Sequence, residues 1–268
     1  MVQKTVQQLP STSDFTLWYI HQWYEKLKLD GLYLDFFYAG SAKNKEAGLG
    51  STRDGEFRGV VSYFATREMY KRIYTMLKKI NPECIIIGNT PSNVDTPIWS
   101  FSDITLHGEG EWRVGGGGIL KDSYLDNIRL DEFRAKFMGH QFGVIPWFLP
   151  EYHYATIKLE QWVSVAPPTR SPTEEISQRL FGIGLLHDFS LALRGDINPA
   201  ATRKLYNVLD EFGREDYEAA EFFGYWKNSD LISGQSDVIK ASAYRKPKGG
   251  ALIVVLNTTR QAQNATLF

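Results

Sequence analysis

The first residue whose type and position could do chemistry is Asp35. It closes the run Asp30-Gly31-Leu32-Tyr33-Leu34-Asp35-Phe36, a short apolar stretch that ends abruptly on a carboxylate. A buried strand of a parallel sheet is apolar nearly throughout, so a charge belongs at its end. In a β/α barrel the C-terminal ends of the strands form the floor of the active site, which makes Asp35 a candidate catalytic carboxylate. The alternative is that Asp35 caps the following turn through backbone N–H groups, as Asp often does. Other polar residues follow apolar runs in the same way. Asn89 follows Ile85-Ile86-Ile87, Glu109 and Glu111 follow Ile104-Thr105-Leu106, and Glu151 and Tyr152 follow residues 142–149. Asp188 lies within residues 185–193, read as a further short strand. One such residue means little, but a series of them is what a β/α barrel site would give.

The elements that would position these residues alternate. Helices are expected over 14–28, 66–80, 130–138, from about 173, and over 200–212. The strands lie between them at 32–36, 85–87, 104–106 and 142–149. Ser13 or Asp14 would cap the first helix, whose apolar face is read as Phe15, Leu17, Trp18, Ile20, Trp23, Tyr24 and Leu27; Thr66 would cap the second. Residues 37–63 form a long polar segment with several glycines, and structureless loops of that length are uncommon unless functional. Helix and strand in alternation argue for a parallel sheet with helices outside it. Too few strands are present for eight, so the reading is an α/β fold: the C-terminal half of a (β/α)8, TIM-type barrel.

The texture changes after about Tyr217. Residues 222–226, 238–244 and 251–256 alternate in short segments around Lys246-Pro247-Lys248-Gly249-Gly250, an antiparallel pattern. Two domains are therefore expected. Residues 1–216 would be the partial barrel, and 217–268 a small antiparallel β-sandwich, incomplete, with a further strand beginning at the end.

Composition narrows the partners. The 268 residues carry a formal charge of −1, which argues against a nucleic-acid or anionic-membrane partner, since those usually demand a basic face. No run of about 18 apolar residues is long enough for a membrane helix, and no basic-then-apolar leader opens the sequence. The lone Cys84 sits beside an apolar run and reads as a buried, inert thiol. The His residues have no zinc spacing, so no metal is expected, nor any cofactor. The Gly115-Gly116-Gly117-Gly118 run lacks the spaced pattern of a phosphate cradle. Aromatic residues make up 14% of the chain, and sugar clefts use such rings as stacking surfaces. Trp99, Trp112, Trp147 and Tyr152 are candidate platforms, each equally a candidate for the core. With Tyr33, Asn89 and Glu151 they make up the expected substrate contacts.

Three segments carry a likeness to a known group: Asp30-Gly31-Leu32-Tyr33-Leu34-Asp35, Arg67-Glu68-Met69-Tyr70-Lys71-Arg72-Ile73-Tyr74, and Ser100-Phe101-Ser102-Asp103 followed by Gly108-Glu109. Together they resemble bacterial glycoside hydrolases, the barrels related to glycoside hydrolase family 123 and, more loosely, α-galactosidases and endo-α-N-acetylgalactosaminidases. The resemblance implies that the run ending at Asp35 is the fourth barrel strand, with the nucleophile at its end and the acid/base at the end of the sixth. Those positions are Asp35 and Glu109, with Glu111 as the alternative acid. It also implies a carbohydrate substrate and secreted or periplasmic full-length relatives. A retaining glycosidase needs two carboxyl groups about 5–5.5 Å apart, one ionised and one with a raised pKa. Family 123 enzymes place Asp-Glu side by side at the strand end, whereas Phe36 and Phe37 follow Asp35 here. That departure favours a separated pair of acids over attack by the substrate's own acetamido group. Half a barrel leaves two further expectations open: completion by another copy of the chain, or an inactive remnant that binds carbohydrate or serves a structural role.

Overall fold

The computed structural model describes residues 10–46, 48–90, 94–108, 129–137, 143–149, 174–191, 197–259 and 261–268. Glu109, Glu111, Trp112, Glu151 and Tyr152 lie outside the described residues, as does the Gly115–118 run. The chain divides into two compact units. The first holds residues 1–107 with 142–145, and the second holds 108–141 with 146–268. The boundary expected near residue 216 falls inside the second unit.

The first unit opens with helix α1 (Pro10–Leu27), followed by strand β1 (Gly31–Leu34). Among the described residues the helix already runs from Pro10, four residues before the expected Asp14. Ser13 is therefore a buried helical residue and not the cap. Four short strands follow: β2 (Ser41–Ala42), β3 (Ser51–Arg53), β4 (Glu56–Arg58) and β5 (Val60–Val61). They pair antiparallel as β2 with β5 and β3 with β4, so much of the segment read as structureless is two small β-ladders. Helix α2 (Tyr63–Ile80) begins after Ser62 and not at Thr66. It leads to β6 (Ile85–Thr90), the short helix α3 (Thr96–Trp99) and β7 (Ile104–His107).

Strands β1, β6 and β7 are parallel neighbours in chain order, with Tyr33 beside Ile87 and Thr90 beside His107. Sequential parallel neighbours joined by helices are the winding of a β/α barrel. One face of the sheet builds the core. Leu32, Leu34 and Ile86 pack with Leu17 and Tyr24 of α1 and with Met69, Ile73 and Leu77 of α2. Cys84 is buried in the same cluster. Only part of the expected α1 face contributes. Leu17, Ile20 and Tyr24 pack inward, while Phe15, Trp18, Trp23 and Leu27 remain exposed. The apolar residues of α1 thus form two stripes, one more than this core uses.

The N-terminal ends of β6 and β7 are tied by Asp103. Its carboxylate accepts from the Ile86 N–H at 2.8 Å and from Lys78 at 2.9 Å, and Lys78 also donates to the Cys84 carbonyl at 2.6 Å. Burial alone would lower the Lys78 pKa, but its hydrogen bond and charge partner at Asp103 raise it on balance. This polar lock sits at the opposite end of the strands from Asp35.

The second unit contains α4 (Leu130–Phe137), all but the first residue of β8 (Ile145–Phe148), α5 (Glu174–His187), β9 (Ser190–Leu191), α6 (Pro199–Phe212) and α7 (Arg214–Glu218). Strands β8 and β9 pair in parallel. The strand expected at 185–193 is a correction, since its first part is the end of α5. Leu180, Ile183, Gly184, Leu186 and His187 are buried at helical spacing, and among the described residues of that segment Ser190 and Leu191 are strand. A run such as Leu185-Leu186 fits either period when read locally. Asp188 consequently precedes its strand instead of ending it.

Strands β10 (Glu221–Phe223), β11 (Ile239–Arg245) and β12 (Ala251–Asn257) form one antiparallel sheet in chain order. Among the described residues this single sheet stands where a sandwich was expected. It is fastened to α5, with Ser242 Oγ donating to the Leu186 carbonyl at 2.8 Å and the Tyr244 hydroxyl to Leu185 at 2.6 Å. Gly182 lets Leu256 approach closely, since a Cβ there would lie 2.9 Å from its Cδ1. Ala241 and Ala243, on the other face of β11, pack with Ile232, Phe223 and Leu267. The final strand expected after residue 260 is absent among the described residues; Phe268 instead exchanges two backbone hydrogen bonds with Ser233.

His187 lies at the centre of this packing, fully buried. Its Nδ1 is 2.8 Å from the Ile183 carbonyl, and its ring stacks on Trp226 at 5.8 Å and meets Phe133 edge-on at 5.1 Å. Burial pushes its pKa down to about 4, opposed by the Ile183 hydrogen bond and assisted by the charge of Arg134. The unfolded chain takes up this proton near pH 6.5 and the folded chain only near pH 4, so stability is fully present above pH 6.5 and falls below it. The loss over that window should be about 3 kcal/mol. Urea unfolding at about pH 7 and about pH 5 should show the decline, and His187→Gln should flatten it.

Candidate functional site

The described part of the site is built at the C-terminal ends of β1 and β6. Asp35 is the first residue after β1 and is exposed. Its carboxylate accepts from the Phe36 N–H at 3.1 Å, the turn-capping bond that was the alternative reading of this residue. The same carboxylate stands at the strand end, open to solvent, where a barrel enzyme would hold a catalytic acid. Both descriptions fit one residue.

The turn beyond Asp35 is tightly specified. Phe36 has φ +54, the left-handed region that a bulky side chain rarely adopts, while Phe37 is completely buried. The Phe37 ring occupies the space beside Gly88, where a Cβ would come within 2.2 Å of it, so only glycine fits opposite. The Phe37 N–H donates to the Asn89 carbonyl at 2.6 Å, and the Tyr70 hydroxyl donates to the Phe36 carbonyl at 3.0 Å. Burial raises the Tyr70 pKa well above the usual phenol range, with Tyr38 and the nearby Asp35 adding in the same direction. Tyr70 therefore stays a donor throughout the working pH range.

Two of the expected substrate contacts meet. Asn89 Nδ2 donates to the Tyr33 hydroxyl at 2.7 Å across the β1–β6 pair. Asn89 is buried and Tyr33 is half exposed, so the amide holds the phenol while the ring still faces solvent. Both residues lie on the sheet face opposite the helical core, the face that points inward in a closed barrel. Trp99 is elsewhere. It is buried in the first unit's core, with its ring edge-on to His107 at 5.9 Å. Trp147 is half-buried on β8 in the second unit. The carboxylates Glu109 and Glu111, and with them the Asp35–Glu109 separation, lie outside the described residues.

His107 and Thr90 are buried polar residues that the sequence reading did not single out as site candidates. Both end parallel strands, side by side in register. The signal was available, because His107 closes Ile104-Thr105-Leu106 much as Asp35 closes its own run. Among the described residues the Thr90 hydroxyl and the Trp99 indole N–H are buried without hydrogen-bond partners, and both belong to the elements around β6 and β7. A buried polar atom left unpaired costs about 1–3 kcal/mol, so this polar patch is held by the packing around it. Among the described residues no three His, Cys, Asp or Glu side chains converge to hold a metal ion. Nor is any helix among them long and apolar enough to cross a membrane.

No family model and no curated protein matches this chain. Among solved structures it is similar to a noncanonic maltogenic α-amylase, AmyB, from Thermotoga neapolitana. The TM-score is 0.49 and the identity 12%, over 93% of this chain and 53% of that one. The chain thus spans about half the length of that structure. The likeness to the family 123 and α-galactosidase-like barrels rests on the motif residues alone.

The turn geometry makes opposite predictions for adjacent phenylalanines. Phe36→Gly should raise stability by about 1 kcal/mol, because it relieves a left-handed residue whose ring packs little. Phe37→Ala should cost about 3–5 kcal/mol through the cavity left over Gly88. Chemical denaturation of the two variants beside the parent checks both signs.

Proposed function

We propose that this chain forms part of a glycoside hydrolase of the retaining kind, acting on α-galactoside or N-acetylgalactosaminide-type glycans. Asp35 is the proposed nucleophile and Glu109 the acid/base, with Glu111 the alternative acid. The observation that carries the reading is the exposed Asp35 carboxylate at the end of a parallel strand, beside a fixed Tyr33–Asn89 pair. Strand ends of one β/α sheet are where such enzymes assemble their acids.

The chemistry follows from that placement. An Asp35 oxygen attacks the anomeric carbon while the bond to the leaving oxygen breaks, and Glu109 gives that oxygen a proton. Water, deprotonated by the same Glu109, then attacks the anomeric carbon and releases Asp35. Tyr33 offers a ring face and a hydroxyl to the sugar, and Asn89 fixes that hydroxyl's direction. The sharp turn at Phe36 keeps the carboxylate at the strand end, since the clamps on Phe36 and Phe37 leave the backbone little freedom.

The bond from the Phe36 N–H to the Asp35 carboxylate favours a second reading. In it Asp35 only caps the turn, and the chain is an inactive carbohydrate-binding remnant. Hydrolysis of nitrophenyl α-galactoside and α-N-acetylgalactosaminide separates the two. The hydrolase reading expects turnover that falls about a thousandfold or more in Asp35→Asn, with an unchanged circular-dichroism spectrum. It also expects azide to restore product formation in Asp35→Gly as the inverted glycosyl azide. Turnover unaffected by Asp35→Asn would remove the nucleophile assignment.

A further inference from the structure

Among the described residues the outer stripe of α1 packs into no core cluster. Phe15, Tyr19, Trp23 and Leu27 recur every four residues, Trp18 stands beside them, and all five are 47–62% exposed. A row at four-residue spacing is one of the ridges by which helices pack into each other's grooves. The rings already touch along the row, with centroids 6.0 Å apart for Phe15–Tyr19 and 5.5 Å for Tyr19–Trp23. Such a row, on an α-helix that is otherwise well packed, points to a partner that supplies another ridge.

We infer that this row is an interface between two copies of the chain, the two α1 helices crossing antiparallel about Tyr19. Three observations choose this occupant. First, the row is symmetric about its middle. Phe15 and Trp23 lie equally far on either side of Tyr19, so a two-fold axis there sets Phe15 of each copy against Trp23 of the other. That is the self-complementarity an isologous contact requires. Second, the ends match in charge. Asp14 lies in the second turn, where it also pairs with Arg72 at 2.7 Å, and Lys26 lies in the last, so an antiparallel crossing brings opposite helix dipole ends, and Lys26 of one copy toward Asp14 of the other, to the same side. Third, the area suffices. The half-exposed large side chains offer roughly 500 Å² per copy, judged from the usual 150–250 Å² of an aromatic residue. With the exposed Ser11, Gln22 and Lys26 around them, a pair buries about 1,200 Å² in total, the lower edge of stable interfaces.

A sugar chain fits this face less well. Stacking along a glycan wants rings in one plane, whereas these rings are turned 24–47° against their neighbours. Tilted rings suit interdigitation with another ridge.

Sedimentation velocity on the intact chain tests the interface. At about 50 μM the expected species has about twice the 30.6 kDa chain mass, with a dissociation constant of about 1–10 μM. Tyr19→Arg sets two like charges across the axis and should weaken association about a hundredfold. Mixing it with Tyr19→Glu should restore a dimer that neither variant forms alone. Tyr19→Cys should form a disulfide-linked pair on a non-reducing gel, since the native Cys84 is buried. Tyr19 is exposed, so each variant should keep the parent's circular-dichroism spectrum. A wild-type monomer at 50 μM, or a dimer unchanged by Tyr19→Arg, overturns the proposal. A monomer whose tryptophan fluorescence shifts on adding soluble polysaccharide overturns it too, and assigns the row to glycan chains.

Discussion

The burial of Phe37 beside Gly88 constrains everything else at the candidate site. The chain leaves β1 at Leu34 and must place the Phe37 ring in the core three residues later. It can do so only by turning sharply, and the left-handed Phe36 is that turn. Asp35 and Phe36 are thereby forced outward at the strand end. The Tyr70 hydroxyl and the Asn89 carbonyl close the turn from α2 and β6. A strained residue persists when its surroundings over-determine it, and here four contacts do so. The position of the carboxylate is therefore a consequence of core packing, fixed before any substrate arrives.

The two ends of the first unit's sheet differ in how their polar groups are satisfied. At the N-terminal ends, Asp103 neutralises Lys78 and satisfies the Ile86 amide. At the C-terminal ends, Asp35 is exposed, Tyr33 is half exposed, and the Thr90 hydroxyl is buried without a partner among the described residues. Unfinished polar interactions concentrated at one end of a parallel sheet are what a site held by a rigid scaffold would leave. The second unit has a different centre. There His187 and its ring of aromatics join α5 to the antiparallel sheet, and their chemistry is that of a packed interior.

Much of this was legible in the residues. The apolar run ending at Asp35 is a local signal, and local signals survive the absence of tertiary information. So does the helix–strand alternation, because each element carries its own period. What failed depended on partners. Residues 41–61 form two ladders of strands only two or three residues long, too short for an alternation to register. Residues 185–187 belong to a helix because Leu186 and His187 pack with it, although Leu185-Leu186 alone reads either way. The Tyr33–Asn89 bond depends on strand register, which brings Tyr33 beside Ile87 and so within reach of Asn89. Composition also misjudged α1: its seven apolar residues were read as one face, and the structure divides them into two.

Covalent trapping decides whether Asp35 is the nucleophile. A fluorinated α-galactosyl fluoride reacts with a retaining nucleophile and forms a glycosyl ester that breaks down slowly, because the fluorine destabilises the charge that develops at the anomeric centre. Intact-mass measurement followed by peptide mapping should find one sugar added, on the peptide that carries Asp35. A label on another carboxylate, or none in a preparation that cleaves galactosides, would contradict the assignment of Asp35.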